Sequence, residues 1–121
     1  MTSPTVLLPI LESLDFNVKS GIELCGGDAQ FYSDLIHELY TDVLVRRGAA
    51  LRGDDLQARR EYAHMLKGTL QVLGETKASM KARALEQALR EGAPSEELSV
   101  GLAQDLDKLN LALHGIFGAA P

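Results

Sequence analysis

The sequence contains little of what marks a secreted or membrane-spanning protein. Cys25 is the single cysteine among 121 residues, so no intramolecular disulfide can form. No apolar run approaches the ~20 residues that a membrane-spanning helix needs. No positively charged region precedes Val6–Leu8, as one would in a secretory signal. We therefore expect a cytoplasmic protein that neither crosses nor enters a membrane.

Positive charge is also scarce. The formal net charge is −5, and no run of five or more basic residues occurs. An acidic protein repels the phosphates of nucleic acids and the headgroups of anionic membranes. Nucleic acid and membrane surfaces are therefore not expected as partners, which leaves other proteins or small molecules.

Tryptophan is absent and other aromatics are few, so Leu and Ala, both good helix formers, must supply the core. Pro4 and Pro9 fall in the first dozen residues, where we expect a short N-terminal helix or arm. Residues 15–27 contain three glycines and are predicted to be a connector. Asp28 is a candidate N-cap for a helix that reaches about Leu51.

Three further helices are predicted from apolar spacing. Asp54 is the expected N-cap of one that ends at Gly74, and another spans about 76–91. The last covers about 95–116, after a stop at Gly92-Ala93-Pro94. In the helix that ends at Gly74, the expected apolar face is Leu56, Ala63, Leu66, Leu70 and Leu73. In the last helix, it is Leu98, Leu102, Leu106, Leu109 and Leu113. We predict an all-α fold: one domain over residues 1–121, an antiparallel up-down-up-down four-helix bundle, and a monomer.

One predicted helix carries His64 on its outer face. On a helical wheel His64 points about 130° away from the mean direction of the apolar residues. Gly68 lies one turn further along the same face, where core packing has no use for a glycine. Since a mid-helix glycine costs roughly 1 kcal/mol relative to alanine, its presence indicates a function. That function is access for a partner to the imidazole.

Other residues of this helix suit a phosphoryl group on His64. Lys67 is a helical neighbour whose ammonium balances negative charge. Gln71, a turn beyond Gly68, is positioned to donate an amide hydrogen bond. Met65 and Val72 are apolar residues that flank the outer face and suit a docking surface for a protein.

The chemistry that these residues offer is nucleophilic. An exposed imidazole is unprotonated often enough at neutral pH to attack a phosphoryl group. Phosphoryl transfer also needs charge neutralisation and a metal ion. The chain shows no metal-ligand cluster and no glycine-rich nucleotide loop. A partner must therefore supply the remaining parts.

These residues resemble the core motif of histidine phosphotransfer (HPt) domains. The match comprises His64-x-x-Lys67-Gly68, the later Gly74, Leu85-Glu86, the entry Gly26-Gly27-Asp28-x-x-Phe31-Tyr32 and the turn Gly53-Asp54. It covers roughly residues 21–92. The sequence departs from the family in having Leu70 and Gln71 where small residues are common, and a smaller residue at Ala78.

The resemblance implies a fold, partners and residue roles. It implies a four-helix bundle in which His64 is phosphorylated on Nε2, Lys67 stabilises the phosphohistidine and Gly68 leaves room for the partner. It implies exchange with response-regulator receiver domains, and a hybrid sensor histidine kinase as a further partner. The Mg²⁺ belongs to the receiver domain, so no cofactor is expected in this chain. Such a protein is a phosphocarrier without a kinase domain of its own.

Three other functions compete with this interpretation. A non-catalytic adaptor with the same fold is the main alternative. A di-iron bundle uses Glu-x-x-His pairs such as Glu61-x-x-His64, but a second inward-pointing pair is missing. A complete histidine kinase needs an ATP-binding domain, for which the chain is too short. His37 and His114 are predicted to be structural or neutral, Cys25 to be buried, and the charged residues of 83–91 to be solvated.

Overall fold

The computed structural model describes residues 3–118, and none of these lies in a β-strand. Its α-helices are α1 (Pro4–Ser13), α2 (Val18–Leu24), α3 (Ala29–Glu38), α4 (Leu56–Leu73), α5 (Thr76–Glu91) and α6 (Glu96–Phe117). A π-helical segment, Leu39–Arg46, continues α3, and a 3₁₀ turn follows at Gly48–Leu51. The expectation of an all-α protein is confirmed.

Helices α4 and α5 form an antiparallel pair that is fixed at the turn between them. Gly74 ends α4 in the left-handed conformation, with φ of 93°, and Glu75 caps α5 by accepting from the backbone N–H of Lys77 and Ala78. A side chain at Gly74 would also collide with the carbonyl oxygen of Asn17. The bounds predicted for α5 are those observed. The cap of α4 is Asp55 rather than Asp54, because it is Asp55 that accepts from the N–H of Ala58.

The prediction of a connector over residues 15–27 is wrong, because α2 lies within it. Asn17 caps α2, accepting from the N–H of Ser20 at 3.0 Å. Gly21 is not a turn residue: a Cβ there would lie 2.5 Å from Cε1 of Tyr32 and 2.7 Å from the carbonyl oxygen of Leu73. Its missing side chain lets α2 pack closely against α3 and the end of α4.

The helix that begins after Asp28 does not continue as an α-helix to Leu51. From Leu39 it widens to π-helical geometry. Side-chain hydroxyls bind backbone carbonyls along this stretch: Tyr62 donates to Val43 at 2.7 Å, and Thr41 donates to His37 at 3.2 Å. Such bonds compete with the α-helical ladder. The Tyr62 bond ties the widened segment to α4.

The core is built mainly from leucine and alanine, as composition predicts. Two of the expected inward residues do not belong to it: Leu56 is 57% exposed and Leu98 is 37% exposed. Each lies in the first turn of its helix, outside the packed length. The remaining predicted core residues of α4 and α6 are buried, namely Ala63, Leu66, Leu70, Leu73, Leu102, Leu106, Leu109 and Leu113. Within residues 3–118, no helix is both long enough and apolar enough to cross a membrane.

Candidate functional site

His64 lies on the outer face of α4, as the helical wheel predicts. Its side chain is 64% exposed. The ring is nevertheless held in one orientation, because Nδ1 lies 2.6 Å from Oε2 of Glu86 on α5. The other ring nitrogen, Nε2, forms no hydrogen bond with any residue that the structure describes.

Glu86 is the centre of the site, and the prediction that it is part of a solvated face is wrong. It is only 4% exposed. Its Oε2 accepts from His64 and from Arg90 at 2.9 Å, while its Oε1 accepts from Nζ of Lys67 at 2.5 Å. A buried carboxylate needs such partners, since an unpaired one would be strongly destabilising.

The hydrogen bonds keep Glu86 ionised. Burial by itself raises the pKa of a carboxyl group, but the bonds from Lys67 and His64 outweigh it, so the pKa of Glu86 lies below its ordinary value. At neutral pH the carboxylate can therefore only accept hydrogen bonds.

This ionisation sets the tautomer of His64. Since the Glu86 carboxylate only accepts, Nδ1 of His64 must carry a proton. In the neutral ring the lone pair is then on Nε2, the nitrogen directed away from Glu86. The arrangement thus presents an oriented nucleophile to solvent without any change of tautomer, and it also stabilises positive charge that develops on the ring.

Lys67 is part of this cluster, but its ammonium faces the carboxylate. Besides the 2.5 Å bond from its Nζ to Glu86, its backbone carbonyl accepts from the Ser79 hydroxyl at 2.6 Å. Lys67 is 31% exposed at the side chain. It lies next to His64 as expected, with its charge already paired by Glu86.

The surface at Gly68, one turn beyond His64, is unobstructed. A Cβ placed there meets no atom within 4 Å. The glycine is therefore not demanded by packing or by backbone conformation within the protein. This agrees with the expectation that it serves something outside the chain.

Depressions lie on both sides of Gly68. On one side is an apolar groove of about 470 Å³ between α4 and the α3–π segment, and it includes both predicted docking residues, Met65 and Val72. Val72 is 44% exposed. On the other side is a smaller pocket of about 270 Å³ between α4 and α5, which includes Gln71. The ring of His64 bonds to Glu86 rather than to Gln71, so the expected amide bond is not seen.

The side chains proposed for a metal site do not converge. Glu61 accepts from Gln57 at 3.0 Å, while His64 turns to Glu86. Among residues 3–118, no group of three or more His, Cys, Asp or Glu side chains is placed to hold a metal ion.

His37, His114 and Cys25 contact other parts of the fold and lie outside the His64 site. His37 packs edge-on against Phe117, with ring centroids 4.8 Å apart. Nδ1 of His114 bonds to the Tyr40 hydroxyl at 2.7 Å. Cys25 is half-buried rather than buried.

From the sequence, Glu86 is assigned to a family motif and to a solvated face, although the sequence contains a signal for its burial. Glu86 follows Ala82 by four residues, so it lies on the buried side of α5. A charged residue at such a position requires partners on the facing helix. Arg90, four residues on, completes the set and was missed.

Comparisons of the chain with models of known protein families, with curated proteins and with solved structures found no significant match. Roles for the site residues are therefore proposed from the geometry around His64.

Proposed function

We propose that this protein is a histidine phosphotransfer protein that carries a phosphoryl group on Nε2 of His64. The observation that supports this most strongly is the 2.6 Å bond between Nδ1 of His64 and the buried carboxylate of Glu86. It orients the ring, fixes the proton on Nδ1 and leaves an exposed lone pair on Nε2. An accidental surface histidine has no need of a buried carboxylate.

The proposed reaction begins with a phosphoaspartate on a receiver domain. The Nε2 lone pair attacks phosphorus and forms the N–P bond, while the bond from phosphorus to the aspartyl oxygen breaks and the carboxylate leaves. No proton has to leave the nucleophile, because Nε2 carries none. The proton on Nδ1 stays hydrogen-bonded to Glu86, whose negative charge stabilises the phosphorylated ring. Attack by a second receiver's aspartate reverses these steps.

Each neighbouring residue has a part in this proposal. Lys67 and Arg90 hold Glu86, so they position His64 through the carboxylate. Lys67 is also close enough along the helix to moderate the charge of the phosphoryl group. Gly68 lets the receiver approach, and Mg²⁺ is expected to belong to that receiver. The finer architecture is part of the proposal: α3 with its π continuation, α4, α5 and α6 as the four members of an antiparallel bundle.

A non-catalytic adaptor is the second candidate. The observation that favours it is the apolar groove that contains Met65 and Val72, because an apolar depression of about 470 Å³ suits a partner's side chains whether or not chemistry follows. An adaptor would keep partner binding and signalling when His64 is replaced.

The test is intact mass after incubation with phosphorylated receiver domains. Wild type and His114→Gln are expected to gain one acid-labile phosphoryl group, and His64→Gln to gain none. His114 is the matched control because it too is exposed and hydrogen-bonded at Nδ1. If wild type gains nothing from several receivers, the phosphocarrier proposal fails and the adaptor remains.

A further inference from the structure

The pocket between α4 and α5 has an unusual charge for this protein. It has a volume of about 270 Å³ and begins at Gly68. Its lining includes two cationic residues, Lys67 and Arg83, three neutral polar ones, Gln71, Thr76 and Ser79, and the apolar Met80, but no acidic side chain. In a protein with a net charge of −5, a concave surface of this composition favours an anion.

Arg83 is the cationic residue of this pocket whose charge is not paired by another described residue. Lys67 is paired with Glu86. Arg83 lies three residues before Glu86 on α5, yet Glu86 takes Arg90 on its other side instead. Arg83 forms no salt bridge with any residue between Ser3 and Gly118. Its exposed guanidinium thus keeps its donors, which match the oxygens of a phosphate.

Two further donors line the same pocket. The Gln71 amide and the Thr76 hydroxyl are both exposed and belong to opposite walls. Ser79 is different, because its hydroxyl already donates to the carbonyl of Lys67 at 2.6 Å. A guanidinium, an amide and a hydroxyl around an opening without acidic groups are the donors that a phosphate oxyanion requires.

We propose that this α4–α5 pocket is a phosphate-binding site in which Arg83 is the principal ligand, with Gln71 and Thr76 as neutral donors. The proposal has two sources for the oxyanion: the phosphoryl group carried on His64, or free inorganic phosphate. Binding of phosphate by the pocket stands by itself, whereas the first source rests on the proposed function. Because Lys67 is committed to Glu86, Arg83 supplies the charge that the bound group meets.

Binding is tested by titrating the unphosphorylated protein with inorganic phosphate and following amide and side-chain NMR signals at constant ionic strength. We expect millimolar binding with shifts centred on Gln71, Thr76 and Arg83. These shifts are lost in Arg83→Gln and retained in Arg60→Gln. Arg60 is the matched control because it lies one turn before His64 and forms no salt bridge within the described residues, yet it is not part of the pocket.

The two sources are separated by the lifetime of the phosphohistidine. If the pocket receives the group on His64, Arg83→Gln shortens that lifetime about twofold to fivefold, the size expected for one exposed charge pair. Arg60→Gln measures what the loss of one positive charge near His64 does without the pocket, and the effect of Arg83→Gln must exceed it. An unchanged lifetime in both variants, with phosphate binding lost in Arg83→Gln, assigns the pocket to free phosphate.

The phosphate-binding proposal is overturned if phosphate shifts no pocket signal in wild type, or if Arg83→Gln binds phosphate as wild type does. These outcomes differ from failure of the proposed function, which is wild type failing to gain an acid-labile phosphoryl group. The titration is informative in either case, because it uses the unphosphorylated protein.

Discussion

His64 and His114 are each followed four residues later by glycine, at Gly68 and Gly118. Both histidines are exposed, and Nδ1 of each is hydrogen-bonded, to Glu86 at 2.6 Å and to the Tyr40 hydroxyl at 2.7 Å. The two contexts look alike in the sequence. They differ in the chemical nature of the partner and in what the glycine is for.

The partner decides which ring nitrogen is available. A carboxylate only accepts, so Glu86 requires a proton on Nδ1 of His64 and leaves the lone pair of the neutral ring on Nε2. The Tyr40 hydroxyl is able to donate, so His114 is free to carry its proton on Nε2 instead. Exposure and a hydrogen bond therefore do not distinguish the two histidines, whereas the buried ionised acceptor favours His64 as the proposed phosphorylation site.

The two glycines serve opposite purposes. A Cβ at Gly118 would collide with the ring of His114 itself, so that glycine makes room for its own neighbour. A Cβ at Gly68 meets nothing within 4 Å, because the ring of His64 is turned toward Glu86. Of these two glycines, it is Gly68 that leaves space which the protein does not itself use.

The largest expected effect comes from filling that space. We expect Gly68→Gln to slow phosphoryl transfer about a hundredfold or more, since small misplacements of reacting groups have effects of this order. Gly118→Gln should disturb His114 and leave transfer intact. Transfer rates from a phosphorylated receiver provide the measurement, and equal rates in wild type and Gly68→Gln would refute the access role.

The same position separates function from stability. Gly68→Ala should raise the free energy of unfolding by about 0.5–1 kcal/mol, because alanine is the better helix former and its methyl group has room. Gly101→Ala, within α6 and equally unobstructed, is the control that should stabilise similarly. Denaturant unfolding measures both, and destabilisation of Gly68→Ala alone would indicate a structural need that the geometry does not show.

The second largest effect is expected at the carboxylate. Glu86→Gln should slow transfer about tenfold, since a charge-assisted hydrogen bond to the ring becomes a neutral one. It should also mix the tautomers of His64, which nitrogen chemical shifts of the ring report. Tyr40→Phe is the matched change at the other histidine and should alter only the signals of His114. A single unchanged tautomer in Glu86→Gln would remove Glu86 from the mechanism.

Much of this site was predictable because helical periodicity places residues on faces. The positions of His64, Lys67 and Gly68 follow from spacing alone, as do the bounds of α5. Partners across a helix pair do not, since the pairing of Glu86 with His64 depends on the register of α4 against α5. That register is set by the left-handed turn at Gly74, which the sequence predicts, and by the hydrogen bond from the Ser79 hydroxyl to the Lys67 carbonyl, which no local pattern encodes.

The errors in the fold have the same origin. The three glycines of residues 15–27 predict a connector, whereas Gly21 allows close contact with Tyr32 and Leu73 from distant parts of the chain. The widening of the helix at Leu39 accompanies a hydrogen bond from the Tyr62 hydroxyl to the carbonyl of Val43. These two residues are 19 positions apart in the chain. The local sequence pattern predicts a helix correctly when no distant residue packs against its backbone or hydrogen-bonds to it.

A smaller effect is expected from the hydroxyl partner of His114. Tyr40→Phe should lower the free energy of unfolding by about 1 kcal/mol, the usual contribution of one hydrogen bond. Phosphoryl transfer should be unaffected, in contrast to Glu86→Gln. Denaturant unfolding and transfer assays on the same preparation check both statements. A transfer defect in Tyr40→Phe would show that the Tyr40–His114 pair contributes to phosphoryl transfer.

The smallest effects concern acid stability, where the carboxyl groups of Glu86, within α5, and Glu75, the N-cap of α5, act in opposite directions. The pKa of Glu86 is lowered in the folded protein, so its stabilisation is present above its ordinary pKa and is lost as pH falls through the folded value. The pKa of Glu75 is raised, by burial first, against the bonds from Ala78 and Lys77. Its contribution is present at low pH and is lost as pH rises through the folded value.

Between about pH 3 and 6, the stability of Glu86→Gln should therefore rise less with pH than that of wild type, and that of Glu75→Gln should rise more. Urea unfolding across this range measures both slopes, and changes of the same sign would contradict the assignment of the two environments.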